Sequence, residues 1–237
     1  MSDNERPIAV FDLDGTLADT APDLIAALNA VLTEEDVPPL GVAEARDLIG
    51  AGARSLIQRG LQVAGHTTID DARLERMFRS FLAHYGEHLN DHTTLFPGVT
   101  ESLDRFADAG WILAVCTNKY ENHSLQLLDL LGIADRFTAI CGRDTFPYFK
   151  PDPRHLTLTI ERAGGSPRQA IMVGDSQTDI KTARAAGIPV VAVPFGYSDI
   201  PVAELAPDRL INHFDDLWTA AVEITGYGQK QPKTTLS

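Results

Sequence analysis

An apolar run, Ile8-Ala9-Val10-Phe11, breaks off in Asp12-Leu13-Asp14-Gly15-Thr16-Leu17. The run predicts a strand over Ile8 to Leu13, and strands that read as near-continuous apolar runs are buried on both faces. Side chains alternate across a strand, so Asp12 and Asp14 point the same way at its end. Two carboxylates that close repel, and each raises the other's pKa unless something positive lies between them. The pair therefore demands a cationic partner.

The rest of the chain says what surrounds that strand. Pro22 suits the first position of a helix, and Leu24, Ile25, Leu28, Val31 and Leu32 share one of its faces. Helices follow over Val42 to Ile49 and from about Leu56 to Gly65. Another starts at the N-cap Asp70, with Leu74, Met77, Phe78, Phe81, Leu82 and Tyr85 as its stripe. From Pro22 to about His88 no strand pattern occurs. This segment reads as a small helical bundle reached through flexible stretches near Ala18–Thr20 and Asn90–Thr94. Beyond Phe96 apolar strands and helices alternate. Strands are expected at Trp111–Cys116, Phe137–Cys141, Ala170–Val173, Pro189–Val193 and, weakly, Leu210-Ile211. Helices are expected after Gly98, Asn122, Asp152, Thr178 and Phe214. Leu156, Leu158 and Ile160 alternate as in a strand, but the Asp152 cap and the closing Gly164-Gly165 favour a helix. Gly226 to Ser237 has little to bury.

This alternation predicts an α/β fold: a Rossmann-like parallel sheet with helices on both faces, plus a small all-helical domain inserted after the first strand. The expected division is a core of residues 1–17 and 93–226, an insert of 18–92 and a loose tail of 227–237. In such sheets ligands bind beyond the carboxyl ends of the strands. Asp12, Asp14, Thr117, Asn118 and Asp175 each follow an apolar strand and should converge there.

Charge narrows the partners. The 237-residue chain carries a formal net charge of −13, which disfavours nucleic acid and anionic membrane and leaves a small anionic ligand dependent on local positive charge. Cys116 and Cys141 lie in apolar runs and read as buried thiols. Without a signal peptide or spanning run, the expected address is the cytoplasm.

Three convergent carboxylates suit a hard cation, and magnesium needs few protein oxygens. Asp12 and Asp175 are the expected carboxylate ligands, with the Asp14 main-chain carbonyl as a third. Asp179, four residues after Asp175, either stands behind that site or simply caps its helix; both readings stay open. Asp12 can attack phosphorus, Asp14 can serve as acid and then base, and Thr117, Asn118 and Lys150 can hold phosphoryl oxygens. Lys150 is one of five lysines, and its local sequence also allows a solvated surface position.

These segments, Asp12-Leu13-Asp14-Gly15-Thr16, the strand ending in Thr117, Lys150-Pro151 and Gly174-Asp175-Ser176-Gln177-Thr178-Asp179, resemble the four motifs of the haloacid dehalogenase superfamily. The match covers roughly Pro7 to Gly196. Phe96-Pro97-Gly98-Val99, Cys116-Thr117-Asn118-Lys119, Lys150-Pro151-Asp152-Pro153 and Val173-Gly174-Asp175-Ser176 are similar to its phosphoglycolate phosphatase branch. The resemblance implies magnesium, an aspartyl-phosphate intermediate on Asp12 and a mobile cap. It also implies a small phosphorylated metabolite as substrate, with a monomer or homodimer expected. The second aspartate argues against a dehalogenase. The absence of lysine from 18–92 argues against a phosphonatase that uses a cap lysine. A sugar phosphomutase or a pyrophosphatase on the same core is the alternative. Substrate reading is expected in Gly50-Ala51-Gly52-Ala53-Arg54, where Gly52 would allow close approach and Arg54 could pair with a substrate carboxylate. Outside this reading, His84-Tyr85-Gly86-Glu87-His88 matches a zinc-hydrolase pattern but lacks an evident third ligand. A binding protein that has lost catalysis would show a broken motif, and none is broken. His66, His92, His123, His155 and His213 read as ordinary surface or core residues.

Overall fold

A computed structural model of the chain describes residues 6–227, apart from Asp47, Ala51 and Thr67. The chain begins with β1 (Ile8–Phe11) and β2 (Ala18–Asp19). Four helices follow: α1 (Ala21–Glu34), α2 (Val42–Arg46), α3 (Ala53–Val63) and α4 (Asp71–Glu87). It returns through β3 (Thr94–Leu95) and then alternates: α5 (Val99–Asp108), β4 (Ile112–Cys116), α6 (Glu121–Leu130), β5 (Ala139–Cys141), α7 (Pro153–Arg162), β6 (Ala170–Gly174), α8 (Gln177–Ala185), β7 (Val190–Ala192), β8 (Arg209–Leu210) and α9 (Leu217–Thr225).

Six strands form one parallel sheet in the order β5-β4-β1-β6-β7-β8. In chain order this is the doubly wound 3-2-1-4-5-6 pattern, whose crevice lies at the carboxyl ends where the order reverses. β1 sits between β4 and β6, with Val10 level with Ala114 on one side and Met172 on the other. Its side chains divide between two apolar layers. Ile8 and Val10 pack with Leu156 and Ile160 of α7 and Ile180 and Ala183 of α8. Ala9 and Phe11 join Leu103 and Phe106 of α5, Leu127 of α6 and Leu217 of α9. Strands covered on both faces need apolar residues at every position, which is why β1, β4 and β6 lack a polar alternation.

Local signals set most boundaries. Asp70 accepts from the Arg73 amide at the start of α4, and Asp152 from the Arg154 amide at the start of α7. α7 resolves the conflict between alternation and capping in favour of the helix: His155, Leu156, Thr159 and Ile160 are its buried face. α2 stops at Arg46, short of the expected Ile49.

Two expectations need correction. The stretches leading into and out of the helical insert are not loose: β2 and β3 pair antiparallel, Ala18 with Leu95 and Asp19 with Thr94. Two-residue strands carry no sequence signature, so this pairing could be found only in three dimensions. Tyr227, expected in the loose tail, instead packs edge-on against Trp111 with ring centroids 5.9 Å apart. Residues 228–237 lie outside the described residues. Among the described residues, no helix is long and apolar enough to cross a membrane.

The insert is fastened at its base. The buried Asp23 carboxylate of α1 accepts from the His92 amide at 3.0 Å, the Thr93 amide at 2.9 Å and the Thr93 hydroxyl at 2.7 Å. Arg59 of α3 forms a two-pronged pair with Asp199, at 2.9 and 2.8 Å, in the loop beyond β7. Removing the Asp23 carboxylate strands several donors away from water, so Asp23→Ala should lower stability by about 1–3 kcal/mol. Urea denaturation measures this; a loss within error would mean that water restores those bonds.

Candidate active site

β1, β4 and β6 end side by side, and each is followed by a polar residue at the same edge: Asp12, Thr117 and Asp175. Asp12 is buried, and its Oδ1 lies 2.9 Å from the Lys150 ammonium. Lys150 also reaches Asp179 Oδ1, at 2.6 Å. It is therefore a buried site residue rather than a solvated one, and it ties the loop before α7 to β1 and α8. Asn118 supports that loop, donating its side-chain amide to the Lys150 carbonyl at 2.9 Å. The other end of the same amide, Oδ1, is buried without a partner. Thr117 is buried too, and its hydroxyl accepts from the Lys119 amide.

Asp175 is held by the Thr16 hydroxyl at 3.0 Å and the Tyr197 amide at 2.6 Å. The chain closes tightly around it. A Cβ at Gly15 or Gly196 would run into its carboxylate, and Gly15 has φ +79°, a conformation that side chains disfavour. Asp179 caps its helix, one of the roles left open by sequence, and also reaches Lys150. Its Oδ2 accepts from the amide and hydroxyl of Ser176 in a capping box, while Oδ1 meets Lys150.

Asp12, Asp175 and Asp179 each offer a carboxylate oxygen, and these oxygens all lie within 4.8 Å of one another. Two of these buried carboxylates, Asp12 and Asp179, face one ammonium. Burial pushes the Asp12 carboxyl up to about 6; Lys150 opposes the rise, and Asp179 and Asp14 add to it. Burial, then Asp179 and Asp12, also holds Asp175 well above the ordinary carboxylate range. Lys150 is shifted upward, because Asp12 and Asp179 outweigh the burial that opposes its charge. Such a cluster is short of positive charge, and all-oxygen donors match a hard divalent cation. Asp14 lies outside the carboxylate cluster, and its side chain turns instead to Lys119.

Above the cluster lies a cavity of about 150 Å³. The carboxyl ends of the sheet form its floor, with Asp12, Asp14, Thr117, Asn118 and Asp175. The insert forms its roof, with Gly52, Arg54, Phe78 and Tyr85. Gly52 has φ +85° and open space where a Cβ would stand. Ala51 of the same loop lies outside the described residues. Arg54 is not free: its guanidinium pairs with Glu75 and stacks 4.1 Å from the Phe78 ring centroid. A substrate carboxylate would have to compete with Glu75.

Sequence reasoning missed several lining residues. His123 is half-buried in the cavity wall and is no ordinary surface or core histidine. Burial, then the nearby Lys119, depresses its pKa. Lys119 reaches Asp14 at 2.7 Å and the Tyr85 hydroxyl at 2.6 Å. Arg143 and Tyr197 also line the cavity. Standing just after Thr117-Asn118 was the only local signal for Lys119. Nothing in the apolar stripe of α4 distinguishes Tyr85. The His84 and His88 rings lie 4.6 Å apart, but His88 pairs with Asp91. Among the described residues, the three aspartates are the only grouping suited to a metal.

Comparison with known proteins agrees with this geometry. The family profile of haloacid dehalogenase-like hydrolases matches residues 9–193. A phosphoglycolate phosphatase of Mesorhizobium japonicum is 50% identical, over 92% of this chain and 96% of that protein. One from Agrobacterium fabrum is 42% identical over 92% and 93%. The crystal structure of a predicted phosphoglycolate phosphatase from Haemophilus somnus superimposes with a TM-score of 0.83 at 34% identity, covering 92% of this chain and 98% of that one.

The ion cluster makes its own prediction. Lys150→Met leaves Asp12 and Asp179 buried without their cation, and in EDTA at pH 7 it should cost roughly 3–5 kcal/mol. Without its cation the Asp12 carboxyl, which burial already pushes up to about 6, would rise further above its unfolded value. The loss is therefore full above that folded value and shrinks as pH falls through it. Denaturation at pH 7 and pH 5 tests this, with the smaller loss expected at pH 5.

Proposed function

The chain belongs to the haloacid dehalogenase-like hydrolase family, and from that membership we infer that it is a magnesium-dependent phosphatase of small phosphomonoesters, with 2-phosphoglycolate as its substrate. The observation that carries this reading is the meeting of Asp12, Lys150, Asp175 and Asp179 at the carboxyl edge of the sheet, beneath a roofed cavity. A cavity of about 150 Å³ is smaller than the several hundred Å³ typical of drug-sized ligand sites, which suits a metabolite of a few carbons. The names carried by the 50% and 42% identical relatives support the choice of phosphoglycolate.

Phosphate monoesters hydrolyse extremely slowly without catalysis, so nearly all of the rate must come from the site. Magnesium would be held by the Asp12 and Asp175 carboxylates and the Asp14 main-chain carbonyl, with Asp179 behind them. Bound there, it supplies the positive charge that lets a phosphate approach buried carboxylates. Asp12 attacks phosphorus, forming a P–O bond to its carboxylate as the bond to the ester oxygen breaks. Asp14 gives a proton to the departing alkoxide. It then takes one from the water that cleaves the aspartyl phosphate. Lys150, the Thr117 hydroxyl and Asn118 hold the phosphoryl oxygens, and Lys150 keeps its charge because two carboxylates face it. Residues 18–92 act as a cap on a core of 1–17 and 93–226, shielding the intermediate from bulk solvent. Gly52 and Arg54 meet the substrate from that cap.

Phosphate release from phosphoglycolate, pyrophosphate and sugar phosphates, with magnesium and with EDTA, tests the assignment, together with a mutase assay. Turnover should require magnesium and be highest on phosphoglycolate; equal turnover in EDTA would remove the metal. Isomerisation of a sugar phosphate without phosphate release would instead favour a phosphomutase. Asp12→Asn should abolish turnover while the folded state persists, and activity within about tenfold of wild type would refute a nucleophilic Asp12. Arg54→Ala should lower kcat/KM for phosphoglycolate by roughly ten- to a hundredfold, the size of a lost charge-assisted contact. Phenyl phosphate, which has no carboxylate, should be nearly unaffected.

A further inference from the structure

We propose that Lys119 and Tyr85 are positioning residues that hold Asp14 in line for proton transfer, through a buried relay from helix α4 of the insert to the floor of the cavity. The proposal rests on Asp14 being the acid and base of the reaction. The Lys119 ammonium donates to Asp14 Oδ1 at 2.7 Å and to the Tyr85 hydroxyl at 2.6 Å, and it lies 4.4 Å from the Tyr85 ring centroid. The Lys119 side chain is 4% exposed and that of Asp14 is 23% exposed. Both side chains line the cavity, and the carboxylate is the more open of the two.

Three features separate this contact from an incidental ion pair. A buried ammonium is costly unless its partners are close and well directed, and Lys119 has two within 2.7 Å. Asp14 stands beyond the end of β1, where the sheet no longer fixes it. Among the described residues, Lys119 is the only group hydrogen-bonded to its side chain. Lys119 is itself located from both sides. Its main-chain amide donates to the Thr117 hydroxyl, and its tip is held by Tyr85, which stacks on Phe81 of the same helix with centroids 6.0 Å apart. The orientation of Asp14 is thus set jointly by the turn after β4 and by one face of the insert. Proton transfer to a leaving oxygen tolerates little misalignment, so a carboxylate left to rotate in a half-open cavity would lose most of its benefit.

The test separates proton delivery from stability and from substrate binding. Measure kcat/KM, which reports steps up to transfer of the phosphoryl group, for phosphoglycolate and for carboxylate-free monoesters running from 4-nitrophenyl phosphate through phenyl phosphate to ethyl phosphate. Compare wild type, Tyr85→Phe, Lys119→Met and Asp14→Asn. 4-Nitrophenolate leaves without a proton, whereas ethoxide needs one. For 4-nitrophenyl phosphate Tyr85→Phe should stay within about threefold of wild type, and Lys119→Met, which also removes a cation from the cavity wall, should lose far less than on ethyl phosphate. For ethyl phosphate, Tyr85→Phe should fall about tenfold and Lys119→Met about a hundredfold, toward the loss in Asp14→Asn, as a general acid is worth roughly a hundredfold or more. Tyr85→Phe keeps the ring and its packing, so it answers even where Lys119→Met folds poorly. A uniform loss along the series in both relay variants, with Asp14→Asn leaving-group dependent, would overturn the relay alone. So would losses confined to carboxylate-bearing substrates, which would make Lys119 a substrate anchor. If Asp14→Asn itself shows no leaving-group dependence, the acid assignment fails and the relay fails with it.

Discussion

The Lys150 ammonium lies 2.9 Å from Asp12 and 2.6 Å from Asp179, and almost none of its side chain touches water. Without it, β1 and the start of α8 would bring like charges together in a place that solvent cannot screen. With it, the loop before α7 is pinned to the two elements that carry these carboxylates. Asn118 reinforces the link by holding the Lys150 main chain from the end of β4. Asp12, Asp175 and Asp179 offer oxygens within 4.8 Å of one another, and burial foremost raises Asp12 and Asp175. All-oxygen donors of this kind suit a hard divalent cation.

Around this cluster an acidic chain gathers several cationic side chains into one chamber. A surface with a net charge of −13 repels phosphate esters at a distance, and salt screens that repulsion beyond about 10 Å. Within the chamber Lys119, Arg54 and Arg143 line the walls and Lys150 stands at the floor. The insert does more than cover them. The Tyr197 hydroxyl donates to Asp19 and accepts from the Ala21 amide, so the loop beyond β7 is tied to the start of the insert. The main chain of Tyr197 meanwhile holds Asp175. One residue therefore touches both the base of the roof and an acidic residue of the floor.

Much of the fold was legible because its signals are local. Asp70 and Asp152 cap the helices that they were expected to start, and their side chains accept from the Arg73 and Arg154 amides. Where signals were weaker the structure differed. β2 and β3 are two residues each, too short for periodicity, and α2 is trimmed to five residues. His123 was unremarkable in sequence because its importance comes from what packs beside it: Tyr85 on one side and the Lys119 charge on the other. Arg54 had the right chemistry in the right loop. Its engagement with Glu75 and Phe78, however, depends on how α3 meets α4.

The sequence by itself determined the strand-and-helix order, the doubly wound sheet and the gathering of Asp12, Thr117 and Asp175. These follow from apolar periodicity and from the rule that polar residues after buried parallel strands share one edge. Only the tertiary structure decided that Lys150 is buried between two carboxylates, that Asp179 serves both cap and cluster, and that Lys119 joins Asp14 to Tyr85. Lys150 reaches 29 residues along the chain to Asp179, and Lys119 reaches 34 to Tyr85 and 105 to Asp14. Coulomb and hydrogen-bond energies depend on distances of a few ångströms, and no local pattern encodes such distances between segments so far apart.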